Sequence, residues 1–219
     1  VAAGPYGVSV VDMTELLVNG VKPGMTLIKT FEPIKLEEEE GEVHVGSADG
    51  KSVDVQIAGD VAYISYDSFG LVAYRMADLI KPLSAVSTAC AAVDPTEAFN
   101  RQTGLDCRPP QAARYKLQAD PLNPQFAEVE GGAQSMTLQY FPANTLIDDG
   151  TGRRYTLTTP RVLLYVAYAQ AGVIKLDWSD LANPKLLQHQ ETAGKAVGTA
   201  IANGRVYVAD YAGGVVAFR

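Results

Sequence analysis

Short apolar runs separated by polar turns recur along the whole chain. The clearest pair places Tyr207 in one run and Gly214 at the start of the next, and Tyr165 and Gly172 repeat the arrangement with the same seven-residue step. These runs are five or six residues long and rich in Val, Ile and Tyr. Such runs are typical of β-strands, whereas an amphipathic helix needs a longer run with a period near 3.6. The pattern therefore predicts pairs of antiparallel strands that repeat.

The same frame occurs elsewhere in the chain. Tyr63 precedes Gly70 by seven residues, and Gly7 opens a further copy whose tyrosine position falls just before Val1. Each frame glycine leads into a polar turn that ends in proline; residues 177–184 are the fullest version, 76–82 match it, and 13–23 are a looser one. Residues 116–124 form a degenerate copy. Counting back twelve residues from its final proline, as in the other copies, places the expected frame glycine near residue 112, where the sequence has none. The chain thus carries five copies in whole or in part.

The spacing of the copies indicates the architecture. Successive frame positions are separated by about 42 or about 60 residues, which fits one repeating unit with extra sequence in two copies. A period near 42 with short strands and Gly/Pro/Asn/Asp turns is typical of a propeller blade. We therefore predict an all-β fold, a single β-propeller domain of four-stranded antiparallel blades over residues 1–219. Insertions are expected at about 32–52 and 146–159, with a cystine loop at about 83–115.

The two ends of the pattern are incomplete. The first copy lacks its inner strand and the last lacks its outer strand. A propeller closes its ring to remove free strand edges. The chain is therefore either a nearly complete five-bladed ring or, as we expect, a fragment of a six- or seven-bladed one, whose edges meet a protein partner or the remaining part of the same propeller.

These repeats resemble a known family. The sequence Tyr-Val-Ala, then Gly-Val-Ile-Lys-Leu-Asp, then Ser-Asp-Leu-Ala-Asn-Pro at 165–184 is similar to the LVIVD repeat of bacterial and archaeal surface or secreted β-propellers. The resemblance is good at 162–219, fair at 53–82, partial at 1–23 and poor at 83–115. It implies a propeller fold and an extracytoplasmic setting. The family has few assigned roles, so the resemblance implies no catalytic residues.

Individual elements follow from local pattern. We predict a hairpin near 43–50 with Asp49 and Gly50 in its turn, a hairpin at 146–158 around Asp148, and one short helix at 96–102. The remaining predicted strands are 1–12 (two strands), 26–31, 53–57, 134–141, 185–190 and 196–202.

Charge and hydropathy limit the function. The net charge is −7 and the pI about 4.8, which argues against non-specific nucleic-acid binding and against a basic membrane-surface protein. No apolar run approaches the roughly 18 residues of a membrane helix, so we predict no membrane span.

The two cysteines, Cys90 and Cys107, lie in the least regular part of the repeat. A disulfide there would close an irregular loop and imply an oxidising compartment, so we expect a periplasmic, cell-surface or secreted protein. The alternative is two unrelated thiols in a cytosolic protein.

Catalytic signatures are missing from the sequence. It contains no phosphate-binding loop, no Gly-x-Ser-x-Gly, no His-Glu-x-x-His and no Cys-x-x-Cys-His. The only histidines are His44, in an insertion, and His189, in a predicted outer strand. We expect two surface histidines rather than a shared metal site, and we assign no catalytic, cofactor-binding or metal-binding residues.

An acidic run is the one candidate for Ca²⁺. Glu37, Glu38, Glu39 and Glu40 offer the oxygen ligands that this cation prefers, but in an extended segment they point alternately to opposite sides. A solvated loop is the expected alternative, and the Asp148 region is read as a turn.

Four further tyrosines recur near the loop before the frame glycine: Tyr6, Tyr66, Tyr168 and Tyr211. Tyrosine is enriched at protein interfaces, so these residues are candidates for an interaction surface. The alternative is that they cover blade edges.

We therefore predict a non-catalytic β-propeller scaffold or recognition module of an extracytoplasmic protein, with protein–protein or surface interactions. The alternative is a metal-dependent or other enzyme with its site in the central channel. Inner strands would contribute Asp54, Gln56 and Thr199 to such a channel.

Overall fold

The protein is all-β, as its sequence pattern predicts. The computed structural model describes residues 1–13, 26–39, 42–48, 50–96, 98–100, 103, 105–117, 132–148 and 151–218. Contacts between residues divide the chain into two compact units. The first comprises Val1–Val55 and Asp60–Arg114, and the second comprises Gln56–Gly59 and Tyr115–Arg219.

The first unit and its boundary segments contain small antiparallel sheets and a single turn of helix, α1 (Met76–Leu79). The described strands are β1 (Val8–Asp12), β2 (Thr26–Phe31), β3 (Ile34–Glu39), β4 (Glu42–Ser47), β5 (Asp54–Ala58), β6 (Val61–Tyr66), β7 (Gly70–Arg75), β8 (Phe99–Asn100), β9 (Leu105–Asp106) and β10 (Ala113–Tyr115). β1 pairs with β2, β3 with β4, and β8 with β9, while β10, β7, β6 and β5 form a four-stranded sheet in that order.

The second unit contains two larger sheets and one hairpin. Its described strands are β11 (Ser135–Phe141), β12 (Leu146–Asp148), β13 (Arg154–Thr156), β14 (Arg161–Ala167), β15 (Val173–Asp177), β16 (Lys185–Gln190), β17 (Ala196–Ala202), β18 (Arg205–Asp210) and β19 (Gly214–Phe218). One sheet has the order β11-β14-β15-β16, the other has the order β17-β18-β19, and β12 pairs with β13.

The predicted tyrosine–glycine frame has the same strand register in every copy that is described. In each, the tyrosine lies opposite the residue ten positions later: Tyr63 opposite Ala73, Tyr165 opposite Lys175, and Tyr207 opposite Ala217. The first copy keeps this register. Val8, the residue after its glycine, bridges to Ala2, five positions before that glycine, and the same offset holds in the other copies. The sequence repeat is therefore a repeat of one hairpin geometry.

The frame glycines adopt backbone conformations that other residues rarely take. Gly7, Gly70, Gly172 and Gly214 all have positive φ angles, between 75° and 101°. Two of them also lie against the backbone of the next strand. A Cβ on Gly7 would clash with the Phe31 carbonyl, and a Cβ on Gly172 would clash with the Gln190 carbonyl. Glycine meets both demands because it has no side chain.

The turn that follows the frame glycine is anchored in the same way in two copies. The Trp178 N–H donates to the Val162 carbonyl (2.9 Å), and the equivalent Met76 N–H donates to the Asp60 carbonyl (2.7 Å). In the second unit, the indole of the buried Trp178 also donates to the Leu181 carbonyl (3.0 Å). The residues that follow Asp177 therefore build a turn.

The first insertion forms a different hairpin from the predicted one. β4 pairs with β3, with Leu36 opposite Val45 and Glu39 opposite Glu42. The predicted turn around Gly50 is therefore wrong, because β4 pairs with β3, the strand on its N-terminal side. The acidic run is not the expected loop either: Glu37, Glu38 and Glu39 lie in β3, whereas residues 40, 41 and 49 lie outside the described residues.

The degenerate copy does not begin a sheet of its own. β10 pairs with β7 as the outer strand of the sheet that contains the Tyr63 frame, and the Ala112 N–H donates to the Ala73 carbonyl (2.9 Å). Residue 112, where the repeat predicts a frame glycine, therefore leads into β10, the fourth strand of the sheet that contains Tyr63. Residues 14–25 and 118–131, which include most of the predicted turns at 13–23 and 116–124, lie outside the described residues.

The helix predicted at 96–102 is wrong where the structure describes it. Residues 99 and 100 form β8, which pairs with β9, and the Cys107 N–H donates to the Ala98 carbonyl (2.8 Å). The buried guanidinium of Arg108 lies 4.1 Å from the Phe99 ring centroid and pairs with the Asp106 carboxylate (2.7 Å). These contacts favour the extended form. Residues 97, 101 and 102 lie outside the described residues.

Most of the remaining predicted strands agree with the structure; of the two predicted within 1–12, only β1 is a strand, and Ala2 makes an isolated bridge to Val8. β11 follows the predicted 134–141 run, β12 and β13 form the hairpin of the second insertion, and β16 and β17 match their predicted bounds closely. Two residues of the second turn, 149 and 150, lie outside the described residues.

The first unit packs around one apolar core that includes both cysteines. Cys90 and Cys107 are buried and joined at disulfide distance, with 5.8 Å between their Cα atoms. They lie in the same cluster as Phe31, Tyr66 and Tyr74 from the sheets. The loop at 83–115 is thereby attached to the strand core.

Replacement of frame glycines should separate their two constraints. We expect Gly172→Ala to destabilise the protein by about 2–4 kcal/mol, because the new Cβ meets backbone as well as an unfavourable φ. Gly214→Ala is the matched control; its φ is similar, nothing lies within 4 Å of its added Cβ, and about 1 kcal/mol is expected. Urea unfolding of both variants measures the difference, and equal losses would contradict the close-approach argument.

The disulfide should stabilise the first unit. The double replacement Cys90→Ala, Cys107→Ala should lower the free energy of unfolding by about 3 kcal/mol, the value expected for a loop of this length. Reductant should have a comparable effect on the wild-type protein and none on the double variant. An unchanged unfolding midpoint in both experiments would show that the bond contributes nothing.

Candidate functional site

A cleft lies between the two larger sheets of the second unit. Its volume is about 190 Å³. Both sheets contribute to it, and the lining residues are Gln139, Tyr165, Val173, Ile174, Lys175, Gln188, Gln190, Ile201, Gly204, Arg205, Val206 and Phe218. We call this space the inter-sheet cleft.

Strand register places the polar residues of one wall side by side. Lys175 on β15 lies directly opposite Tyr165 on β14 and Gln188 on β16, so the three share a face of the sheet. The Tyr165 hydroxyl donates to Oε1 of Gln139 (3.2 Å), and Nζ of Lys175 lies 5.3 Å from the Tyr165 ring centroid. The ring thus holds the ammonium group of Lys175 beside the cleft.

The other wall is mostly apolar and carries one cation at its rim. Ile201, Val206 and Phe218 occupy matching positions on β17, β18 and β19. Arg205 follows the tight turn of Asn203 and Gly204, both of which have positive φ. The turn therefore brings an exposed guanidinium to the edge of an apolar wall.

Two threonines join the two sheets that form the cleft. The Thr137 hydroxyl donates to the Thr199 carbonyl (2.7 Å), and the Thr199 hydroxyl donates to the Tyr165 carbonyl (3.0 Å). These hydrogen bonds link β11, β14 and β17.

The cleft is positively charged in a chain whose net charge is −7. Its lining includes Lys175 and Arg205, three glutamine side chains and no carboxylate. Neither cation has an ion-pair partner among the residues that the structure describes. The chemistry suits a group that combines negative charge with an apolar portion.

The cleft adjoins an open sheet edge. β19 is the last strand of its sheet, and no described strand pairs with its outer side. Val215 on this strand is 73% exposed, whereas the residues in the same frame position are buried: Val8 at 3%, Leu71 at 0% and Val173 at 7%. The edge is therefore apolar where its equivalents are covered.

The four candidate tyrosines do not form one surface. Tyr6 and Tyr211 are 77% and 84% exposed, but Tyr66 and Tyr168 are fully buried. This corrects the expectation for the buried pair. Tyr66 belongs to the core of the first unit and packs edge-on against Phe69, and the Tyr168 hydroxyl accepts from the Leu117 N–H (3.2 Å). Both act in packing.

The candidate metal ligands do not gather in the described part of the chain. His44 lies on β4 of the first unit, and His189 lies on β16 of the second, where its Nε2 meets the Ala171 carbonyl. Within the described ranges, no group of three or more His, Cys, Asp or Glu side chains could hold a metal ion. The described part of the candidate Ca²⁺ site, Glu37–Glu39, belongs to β3 and pairs with residues 42–44 of β4.

The candidate channel residues make local contacts. The Asp54 carboxylate accepts from the Val55 N–H (2.8 Å), and Thr199 joins the two sheets as described above. Asp54 belongs to the first unit, whereas Gln56 and Thr199 belong to the second.

Several titratable groups respond to burial. Burial raises the pKa of Tyr115 to about 12, with a contribution from Tyr168, and it also raises the pKa of Tyr74. Burial lowers the pKa of Lys29, whose ammonium group donates to the carbonyls of Asp78 (3.1 Å) and Lys81 (2.9 Å). These three groups take part in packing and do not line the cleft.

The turn carboxylate Asp177 is shifted in the other direction. Burial tends to raise its pKa, but hydrogen bonds from Ser179 and the Arg161 guanidinium outweigh this, and the pKa is lowered. The carboxylate therefore stays ionised and holds the turn after β15.

The residues of the cleft were not evident from motifs. One signal was present: Lys175 occupies a strand position that holds Val10, Ala73 and Ala217 in the other copies. A charged residue at an otherwise apolar repeat position marks a place where one copy differs chemically from the rest. Gln139 and Arg205 gave no comparable signal, because strand pairing alone brings them to the cleft.

Comparisons with known proteins identify no relative. No protein-family description matches the chain, and no curated protein or solved structure is significantly similar to it. Among the described residues, no helix is long and apolar enough to cross a membrane.

Thr199 provides a test of the cleft geometry. Thr199→Val removes the hydroxyl that bonds to the Tyr165 carbonyl and to Thr137, and should cost about 1–2 kcal/mol of stability. Thr199→Ser keeps the hydroxyl and should retain most of this stability. Urea unfolding distinguishes the two, and equal losses would point to the methyl group as the important contact.

Proposed function

We propose that this chain is a propeller-type repeat module that recognises a protein partner outside the cytoplasm and acts without catalysis. The observation that carries the proposal is the common strand register of the tyrosine–glycine frame. One hairpin geometry recurs at four frame glycines, Gly7, Gly70, Gly172 and Gly214, the last two 42 residues apart, and this recurrence supports blades of a β-propeller of the LVIVD type. Propellers present extended surfaces made by several blades, and these suit recognition.

The extracytoplasmic setting is supported by the cysteine pair. Cys90 and Cys107 lie at disulfide distance inside the core of the first unit. Disulfides persist in oxidising compartments and are rare in the cytosol. The setting in turn favours a role in contact with other surface or secreted proteins.

The inter-sheet cleft supports recognition of a polypeptide. It combines apolar wall residues with two cations and glutamine amides, the mixture found in pockets that fix the orientation of a ligand. A protein segment supplies both apolar and acidic side chains. We therefore assign the cleft as the binding site of this module.

Selection of binding peptides tests the proposal. A random peptide library displayed on phage should yield binders to the wild-type protein, and their affinity should fall about tenfold or more in the double variant Lys175→Glu, Arg205→Glu, because the cleft changes sign. The matched control is Arg153→Glu, Lys185→Glu, which makes the same charge change at exposed sites outside the cleft.

Binders should be unaffected by the control substitutions. The proposal is wrong if no peptide is enriched, or if both double variants weaken binding equally. Circular dichroism of the variants establishes that each retains the wild-type fold.

A further inference from the structure

We propose that the core of the first unit binds one ordered water molecule between the hydroxyl of Tyr74 and the side-chain oxygen of Gln111. This water site is separate from the inter-sheet cleft and from the recognition function proposed for it. Both atoms are buried, and neither has a hydrogen-bond partner among the residues that the structure describes. Buried polar atoms in folded proteins are nearly always hydrogen-bonded, either to the protein or to ordered water.

The first partner, Tyr74, lies on β7 and has no exposed surface. Its ring packs edge-on against Phe31, with 5.3 Å between the ring centroids, so the ring itself has an apolar neighbour. Burial raises the pKa of Tyr74, with smaller effects from Arg108, Tyr66 and Asp106. The hydroxyl is therefore neutral, and it can donate one hydrogen bond and also accept.

Strand pairing places the second partner, Gln111, beside Tyr74. The N–H of the residue that follows Gln111 donates to the Ala73 carbonyl, and the Arg114 side chain donates to the Phe69 carbonyl. The two contacts run in opposite directions along the two segments, so the segments are antiparallel and Gln111 lies opposite Tyr74. Residues that are directly opposite each other extend from the same face of a sheet.

The two polar atoms extend from neighbouring positions without a direct bond between them. Opposite residues have Cβ atoms about 5 Å apart, yet the Tyr74 hydroxyl and Oε1 of Gln111 are not hydrogen-bonded to each other. The amide oxygen can only accept a hydrogen bond, whereas water both donates and accepts. One water molecule that accepts from the hydroxyl and donates to Oε1 gives each atom a partner.

The charges around Tyr74 favour a neutral ligand rather than an ion. The Arg108 guanidinium and the Asp106 carboxylate, which both affect the pKa of Tyr74, form an ion pair with each other (2.7 Å). Their charges therefore balance. Buried water needs two to four polar partners, and the Tyr74 hydroxyl and the Gln111 side chain provide two.

The water molecule joins two parts of the first unit. Tyr74 belongs to the sheet that contains the Tyr63 frame, and Gln111 belongs to the segment between Cys107 and β10. Cys107 is one end of the disulfide, and β10 is the outer strand of the same sheet. The water thus adds a side-chain bridge where the cystine loop returns to the sheet.

Two conservative substitutions test the bridge. Tyr74→Phe and Gln111→Met each remove one partner and leave the other polar atom buried. Each should lower the urea midpoint by about 0.5 M, the shift expected for one lost hydrogen bond in a chain of this size. The double variant should lose less than the sum of the two, because it leaves neither polar atom behind.

Tyr155→Phe is the matched control for the loss of a hydroxyl. Tyr155 is 43% exposed, so water can solvate its hydroxyl in the folded and the unfolded protein alike. The urea midpoint of this variant should equal that of the wild-type protein.

A high-resolution crystal structure of the wild-type protein makes the test independent of the folding of any variant. We expect electron density for a water molecule at about 2.7–3.2 Å from both the Tyr74 hydroxyl and the Gln111 side chain. The same density should be missing from crystals of Tyr74→Phe.

Four results would overturn the inference: an unchanged or raised midpoint in Tyr74→Phe, additive losses in the double variant, a direct hydrogen bond between Tyr74 and Gln111 in the crystal, or no density between them. None of these results bears on peptide recognition, because the selected peptides are tested against variants of the second unit.

Discussion

The structure depends on the approach of an outer strand to a glycine in a left-handed conformation. At Gly7 and Gly172, the chain turns sharply out of one strand and the backbone of the next strand passes where a Cβ would be. The positive φ angle and the close approach of the next strand both disfavour a Cβ, and only glycine lacks one. The seven-residue step from tyrosine to glycine then follows from the hairpin, because the tyrosine lies on the partner strand in a constant register.

The sequence predicted those features that are determined locally. Strands such as β11, β16 and β17 and the hairpin of β12 and β13 follow from apolar alternation and turn residues. Two of the failures have a common cause, because the segments concerned each had more than one partner available. β4 pairs with the strand before it, and β10 completes the sheet of β7. Composition and periodicity do not distinguish such pairings, since each segment has the right alternation for either.

The residues of the cleft could not be predicted from the sequence for the same reason. The polar residues among them come from β11, β14, β15, β16 and the first position of β18, which lie in separate parts of the chain. Their proximity depends on strand order and on the threonine contacts between the sheets. Only Lys175 could be noticed beforehand, because it interrupts an apolar position of the frame. The four tyrosines misled for the opposite reason: similar sequence positions gave Tyr66 and Tyr168 buried sites and left Tyr6 and Tyr211 exposed.

The turn that follows each frame-glycine strand has a consequence for how the repeat evolves. Trp178 and Met76 make the same backbone hydrogen bond, yet the residues that follow form an Asp-rich turn in one copy and the short helix α1 in the other. The anchor is a main-chain contact, so it places little demand on side chains. The segment between the anchor and the proline can therefore take a different form in each copy while the strands on either side keep their pairing.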